Sequence, residues 1–301
     1  MDFIQSAIDK ARKEREARGQ PPEREGARTP MPAPDEATPP DELTALWEGL
    51  TEIAPDDDHL ERNHIYAHKR SASAASFDIM RTKLLHQLRS HNWRRVAVTS
   101  PTAACGKTTM ALNLSFSLAR QPDLRAMLIE FDLRRPAIAE TLGLTNAPQF
   151  SQFLTGEADA EEVLRRIGPN FALGVNAESE SDSSELLQRV ETGRIMDALE
   201  QRYAPDVMLF DMPPMLLADD TLGFIDQIDC VVLVAAAGSS TLAEVKRCSE
   251  ELKTRCNFLG VVVNMCRFAS SGDAYGYGYG YGYGGYGYGY GYGYGDKKKR
   301  R

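Results

Sequence analysis

Six short apolar runs, separated by helical patterns, constrain this chain more than any other feature. "RRVAVTS" (94–100), "AMLIEFD" (126–132), "FALGV" (171–175), "DVMLFDM" (206–212), "CVVLVAA" (230–236) and "FLGVVVNM" (258–265) are rich in Val, Ile and Leu. They do not alternate with polar residues, which is how strands buried on both faces of a parallel sheet read. Helical periodicity falls at 76–90, 107–120, 183–203 and 241–255. Strand–helix alternation of this kind predicts an α/β fold, a doubly wound and mostly parallel sheet three layers deep in the Rossmann manner. Ligands of such sheets bind at the carboxyl ends of the strands.

The compact domain is expected at 76–268. Residues 1–17 predict an amphipathic helix with Phe3, Ile4, Ala7, Ile8 and Ala11 on one face, too short to fold alone and suited to docking on a partner. Residues 18–75 read as a Pro-rich disordered linker followed by a polar segment. Within it His64 and His68 stand four apart, but no third ligand accompanies them, so they read as a solvated pair. The net charge of −8 excludes a general nucleic-acid binder. Five cysteines without a CxxC pair read as free thiols of a reducing compartment. No apolar stretch approaches the roughly 20 residues of a membrane span, and the N-terminus lacks a signal-peptide core. The expectation is a cytoplasmic protein.

The first apolar run leads straight into "SPTAACGKTT" (100–109) and then a helical pattern. This is close to the phosphate-loop pattern GxxxxGK[ST], with Gly106, Lys107 and Thr108 intact and Pro101 in place of the first glycine. Such a loop surrounds phosphate with the backbone N–H groups of Thr102, Ala103, Ala104, Cys105, Gly106, Lys107, Thr108 and Thr109. Lys107 would neutralise the β and γ oxygens of ATP, and the Thr108 hydroxyl would ligate Mg²⁺. The loop also needs carboxylates for metal and nucleophile. Glu130 and Asp132 close the second apolar run, and Asp211 closes the fourth, after four apolar residues, as a Walker B aspartate does.

"SPTAACGKTT", "MLIEFDLRRP" and "MLFDMPP" together resemble the Walker A, A′ and B motifs of the bacterial tyrosine kinases of capsule and exopolysaccharide production. The resemblance covers residues 76–268 and extends to the tail, where ten of the chain's twelve tyrosines alternate with glycine: Tyr275, Tyr277, Tyr279, Tyr281, Tyr283, Tyr286, Tyr288, Tyr290, Tyr292 and Tyr294. It implies a P-loop NTPase fold that uses ATP and Mg²⁺. Lys107, Asp132 and Asp211 would be catalytic, and Thr108, Asp132, Asp211 and Glu130 would hold the metal. The tail tyrosines (269–301 is the Tyr/Gly-rich segment with a basic end) would accept phosphate from a neighbouring copy. It further implies a homo-oligomer, a membrane polysaccharide copolymerase as activator, a phosphotyrosine phosphatase, and a place at the inner face of the membrane through that partner.

Three positions depart from the family pattern. Ala104 stands for Gly, Cys105 for Glu and Glu130 for Asp. An alanine at 104 would be strained at positive φ. The family's ring-forming helix reads ExxRxxR, and the matching positions are Ala75, Asp78 and Arg81. Two rivals stand beside the kinase. Septum-positioning and partitioning ATPases (the MinD/ParA type) carry a signature lysine where this chain has Pro101, and they lack a tyrosine-rich tail. A non-catalytic, nucleotide-gated scaffold would use the tail as an adhesive low-complexity segment. Arg134 and Arg135 are open between phosphate contact and a solvated pair.

Overall fold

A computed structural model describes residues 40–266. In chain order the elements are α1 (Pro40–Glu48), β1 (Thr51–Glu52), α2 (Asp57–Arg62), α3 (Ala75–His91), β2 (Arg95–Thr99), α4 (Lys107–Ala119) and β3 (Ala126–Glu130). Then come α5 (Ile138–Leu142), α6 (Ser151–Thr155), α7 (Ala160–Val163), β4 (Leu164–Ile167), β5 (Phe171–Gly174), α8 (Ser183–Gln188) and α9 (Val190–Tyr203). The last are β6 (Val207–Asp211), α10 (Asp220–Phe224), β7 (Cys230–Ala236), α11 (Leu242–Arg255) and β8 (Asn257–Asn264). All six apolar runs are strands. They lie in one sheet of order β1-β4-β5-β3-β6-β2-β7-β8, in which only the β4–β5 pair is antiparallel.

Every residue of β2, β3, β6 and β7 is buried, which is why these runs carry no polar alternation. One face packs Leu84, Leu88, Leu112, Phe116 and Leu142 from α3, α4 and α5. The other packs Trp47, Leu154, Met196, Leu199 and Leu252 with Phe131, Phe210 and Phe224. The doubly wound three-layer sheet is therefore present. β2 lies between β6 and β7, so the loop leaving β2 opens at the middle of the sheet.

Two expectations are corrected. The described part of the segment read as linker and polar spacer, residues 40–75, is built into the domain. Leu43, Trp47 and Leu50 are buried at helical spacing, and the Trp47 Nε1–H donates to the Tyr203 carbonyl at 2.8 Å. Leu60, Ile65 and Ala67 join the opposite face of the sheet. The apolar stripe is short and lies among prolines and acids, which hid it. The single helix expected over 183–203 is two, because Arg189 takes extended backbone (φ −64°, ψ 139°). The N-terminal docking helix and the tail lie outside the described residues. Among the described residues no helix is long and apolar enough to cross a membrane.

The β8 edge carries an irregularity. Its pairing with β7 shifts register between Val231 and Val232, and Gly260 sits at φ +145°, a conformation reserved for glycine. Val261 and Val263 are exposed there. For α1, truncation gives a direct check. Trp47→Ala should lower unfolding free energy by about 3–5 kcal/mol in urea titration, whereas an ordinary linker residue would change it by less than about 0.5 kcal/mol.

Candidate active site

The loop from Ser100 to Gly106 joins β2 to α4, and α4 begins at Lys107. Gly106 has φ +79°, and a Cβ there would meet Asn264 Nδ2 at 2.3 Å. Only glycine fits, on both conformation and space. Asn264, at the carboxyl end of β8, donates from Nδ2 to the Cys105 carbonyl at 3.0 Å and so fixes the loop from behind. The Ser100 hydroxyl donates to the Thr102 carbonyl at 2.7 Å. Ala104 adopts φ +59°, the strained conformation that an alanine at this position risks.

Lys107, Thr108, Asp132 and Asp211 converge. The Lys107 ammonium lies 2.8 Å from Asp132 Oδ2 and 3.2 Å from Asp211 Oδ1. The Thr108 hydroxyl donates to Asp211 Oδ2 at 2.6 Å. Strand register explains the meeting, since Asp211 of β6 pairs with Glu130 of β3 and with Val98 of β2. Burial works against the charge on Lys107, but Asp211 and Asp132 more than offset it and hold the ammonium above the ordinary lysine value. Burial raises the Asp211 carboxyl against the pull of Lys107 and the Thr108 hydroxyl.

Glu130 is not part of this cluster, which corrects its expected role in the metal set. It is fully buried. Its Oε1 accepts from the Ala137 and Ile138 amides at 2.6 and 2.8 Å, and Oε2 accepts from the Asn176 amide at 2.8 Å. Burial pushes its carboxyl up to about 7 despite these donors. The extra methylene carries the carboxylate to the start of α5, and Asp132 alone represents this strand end in the site. Cys105 also turns away. Burial would raise its thiol, but hydrogen bonding to Ser240 and Thr102 brings it below the ordinary value.

The cleft has a volume of about 560 Å³. Ala103, Ala104, Gly106, Lys107 and Thr108 line it, with Asp132 beside them. Thr102, Cys105, Thr109 and the fully buried Asp211 stand outside its lining. Arg134 and Arg135 also line it, as do Pro213, Pro214, Leu217 and Ala218. Asp220, fully buried, accepts from Arg134 Nε at 3.1 Å and from the Ser183 hydroxyl at 2.5 Å. The sequence reading passed over Asp220 and Asn264. Asn264 had a signal, as the polar residue ending the last apolar run; Asp220 had none. Asp78 and Arg81 of the expected ring helix are engaged inside the chain. Arg81 Nη1 donates to the Ser117 carbonyl at 2.8 Å and to Asp78 Oδ1 at 3.2 Å.

A family model described as ParA, NUBPL iron-transfer P-loop NTPase, matches residues 93–276, more than half of the chain. The chain belongs to this P-loop NTPase family. Among curated relatives it is 30% identical over 187 residues to "Putative tyrosine-protein kinase EpsB" of Ralstonia solanacearum, covering 62% of this chain and 24% of that one. It is 29% identical over 184 residues to "Tyrosine-protein kinase CpsD" of Streptococcus pneumoniae serotype 4, covering 59% of this chain and 78% of that one. The chain thus spans about a quarter of the length of EpsB. Among solved structures, the kinase domain of Escherichia coli tyrosine kinase ETK superposes with a TM-score of 0.61 at 21% identity, over 84% of this chain and 100% of that one. The VpsO kinase domain gives a TM-score of 0.57 at 25% identity, over 64% and 96%. The P-loop NTPase fold and the similarity to bacterial tyrosine kinases both follow from these matches.

The positive φ at residue 104 has a measurable cost. Ala104→Gly should raise unfolding free energy by about 1 kcal/mol in urea titration, the penalty of a Cβ in the left-handed region less the glycine entropy.

Proposed function

We propose that this chain is an ATP-dependent protein-tyrosine autokinase. The observation that carries the reading is the convergence of Lys107, Thr108, Asp132 and Asp211 at the mouth of the phosphate loop. One hydroxyl and two carboxylates are the hard-oxygen donors that Mg²⁺ takes, so the residues fit the ion. Thr108, Asp132 and Asp211 would hold it, and bound Mg²⁺ would supply charge neutralisation to the phosphate oxygens. The start of α4 and the loop amides cradle the phosphates, and Lys107 neutralises the terminal oxygens once it leaves its carboxylate partners.

The acceptors are the tail tyrosines, Tyr275 through Tyr294, presented by a neighbouring copy. A phenolic oxygen forms its bond to the terminal phosphorus as the bond from that phosphorus to the bridging oxygen breaks. ADP leaves with the electron pair, and Asp132 takes the phenolic proton. Each phosphate adds about −1.5 to −2 charges at pH 7, so a phosphorylated tail becomes strongly acidic ahead of its basic end. In the cell this chemistry would serve exopolysaccharide or capsule polymerisation and export. The protein would sit at the inner face of the membrane through a polysaccharide copolymerase, and a phosphotyrosine phosphatase would reset it. The tyrosine-kinase names of the relatives and the ten-tyrosine tail support this reading.

Incubation of the purified protein with Mg-ATP, with and without the cytoplasmic segment of its membrane partner, should give an anti-phosphotyrosine signal. Mass spectrometry should map that signal to Tyr275–Tyr294. Lys107→Met should reduce it by a factor of about 10²–10³. Intact ATP binding with no signal under either condition would leave the nucleotide-gated scaffold as the reading.

A further inference from the structure

Part of the cleft lining has a chemistry that phosphate binding does not use. Pro213, Pro214, Leu217 and Ala218 give the cleft an apolar stretch of lining, and Arg134 and Arg135 give it a cationic one. Leu217 is 60% exposed, yet its turn is pinned to the phosphate loop itself. Met215 N donates to the Ser100 carbonyl at 2.8 Å and Leu216 N to the Pro101 carbonyl at 3.1 Å. The Thr99 and Thr221 hydroxyls both donate to the Pro213 carbonyl, at 2.7 and 2.8 Å. An apolar side chain is thus held in solvent on a rigid platform beside the reacting groups.

The position of Lys107 says what this lining faces. Its ammonium reaches toward the β3 and β6 ends, to Asp132 and Asp211, so the terminal phosphate belongs on that side of the loop. An in-line acceptor then approaches through the part of the cleft that Asp132, Arg134 and Leu217 line. A phenol matches such a slot, since its ring is apolar and its oxygen polar. Water or a sugar hydroxyl would gain nothing from the prolines and leucine.

We infer that Pro214 and Leu217 form the acceptor subsite, against which the ring of an incoming tyrosyl peptide packs while its oxygen is turned toward Asp132. Arg134, oriented by buried Asp220, which Ser183 also holds, lines the same cleft. The inference rests on the kinase reading and adds to it the residues that select a tyrosyl side chain.

The test uses the full chain with its ten tail tyrosines changed to Phe, together with the partner's cytoplasmic segment, and a synthetic Gly-Tyr repeat peptide as acceptor. Leu217→Asp should raise the peptide KM about tenfold or more, the loss expected for one apolar contact replaced by a charge. The kcat at saturating peptide and the affinity for a nonhydrolysable ATP analogue should move less than about twofold, well under the 1.4 kcal/mol of a tenfold change. Leu217→Met should keep the parental KM. Leu242→Asp, at a still more exposed leucine on α11 (84% against 60%), should leave KM unchanged. A Leu217→Asp chain with unchanged peptide KM would overturn the inference, as would a parallel loss of nucleotide affinity. If the parent binds nucleotide but phosphorylates no peptide, the kinase reading falls and takes this subsite with it.

Discussion

The paired contact of Lys107 with Asp132 and Asp211 is the interaction on which the rest of the site depends. Three different strands have to end at one height for it to form. Bringing two carboxylates together in a buried place costs desolvation and mutual repulsion. The ammonium offsets both, and the Thr108 hydroxyl satisfies a further lone pair on Asp211. The same groups suit a divalent ion and a polyphosphate, since each replaces one of the charges already in balance. A site of this kind stores its electrostatics in the sheet rather than in mobile loops, which favours preorganisation.

Much of this was legible in the chain itself. The buried strands announce themselves as unbroken Val/Ile/Leu runs, and the loop that carries Gly106, Lys107 and Thr108 follows directly on the first of them. Asp132 and Asp211 could be picked because they terminate such runs. Two short strands escaped notice because β1 has two residues and half of "LRRI" in β4 is charged. The helix at Pro40–Glu48 escaped because its buried residues, Leu43 and Trp47, are embedded in a stretch whose composition reads as linker. Composition averages over a window, while burial is decided residue by residue.

Glu130 shows a different limit. By position it belonged with the metal ligands. One added methylene lets the carboxylate reach three backbone amides, and that buried hydrogen bonding decides its orientation. No spacing rule distinguishes a carboxylate that faces a ligand from one that caps the chain's own backbone. The second positions of a site share this property. Asp220 and Asn264 act on Arg134 and on the phosphate loop across 86 and 159 residues of chain, so their partners exist only once the sheet has formed.

The glycine at 260 bears on how this protein behaves in company. β8 ends the sheet, and an edge strand with exposed valines is a template on which other chains can grow. The register shift and the glycine-only backbone bend that template. A straight foreign strand cannot keep its ladder of hydrogen bonds across the bend, so the edge is guarded against runaway stacking without a single charged side chain between Asn257 and Asn264. At this edge, protection from continued strand pairing rests on backbone geometry rather than on side-chain charge.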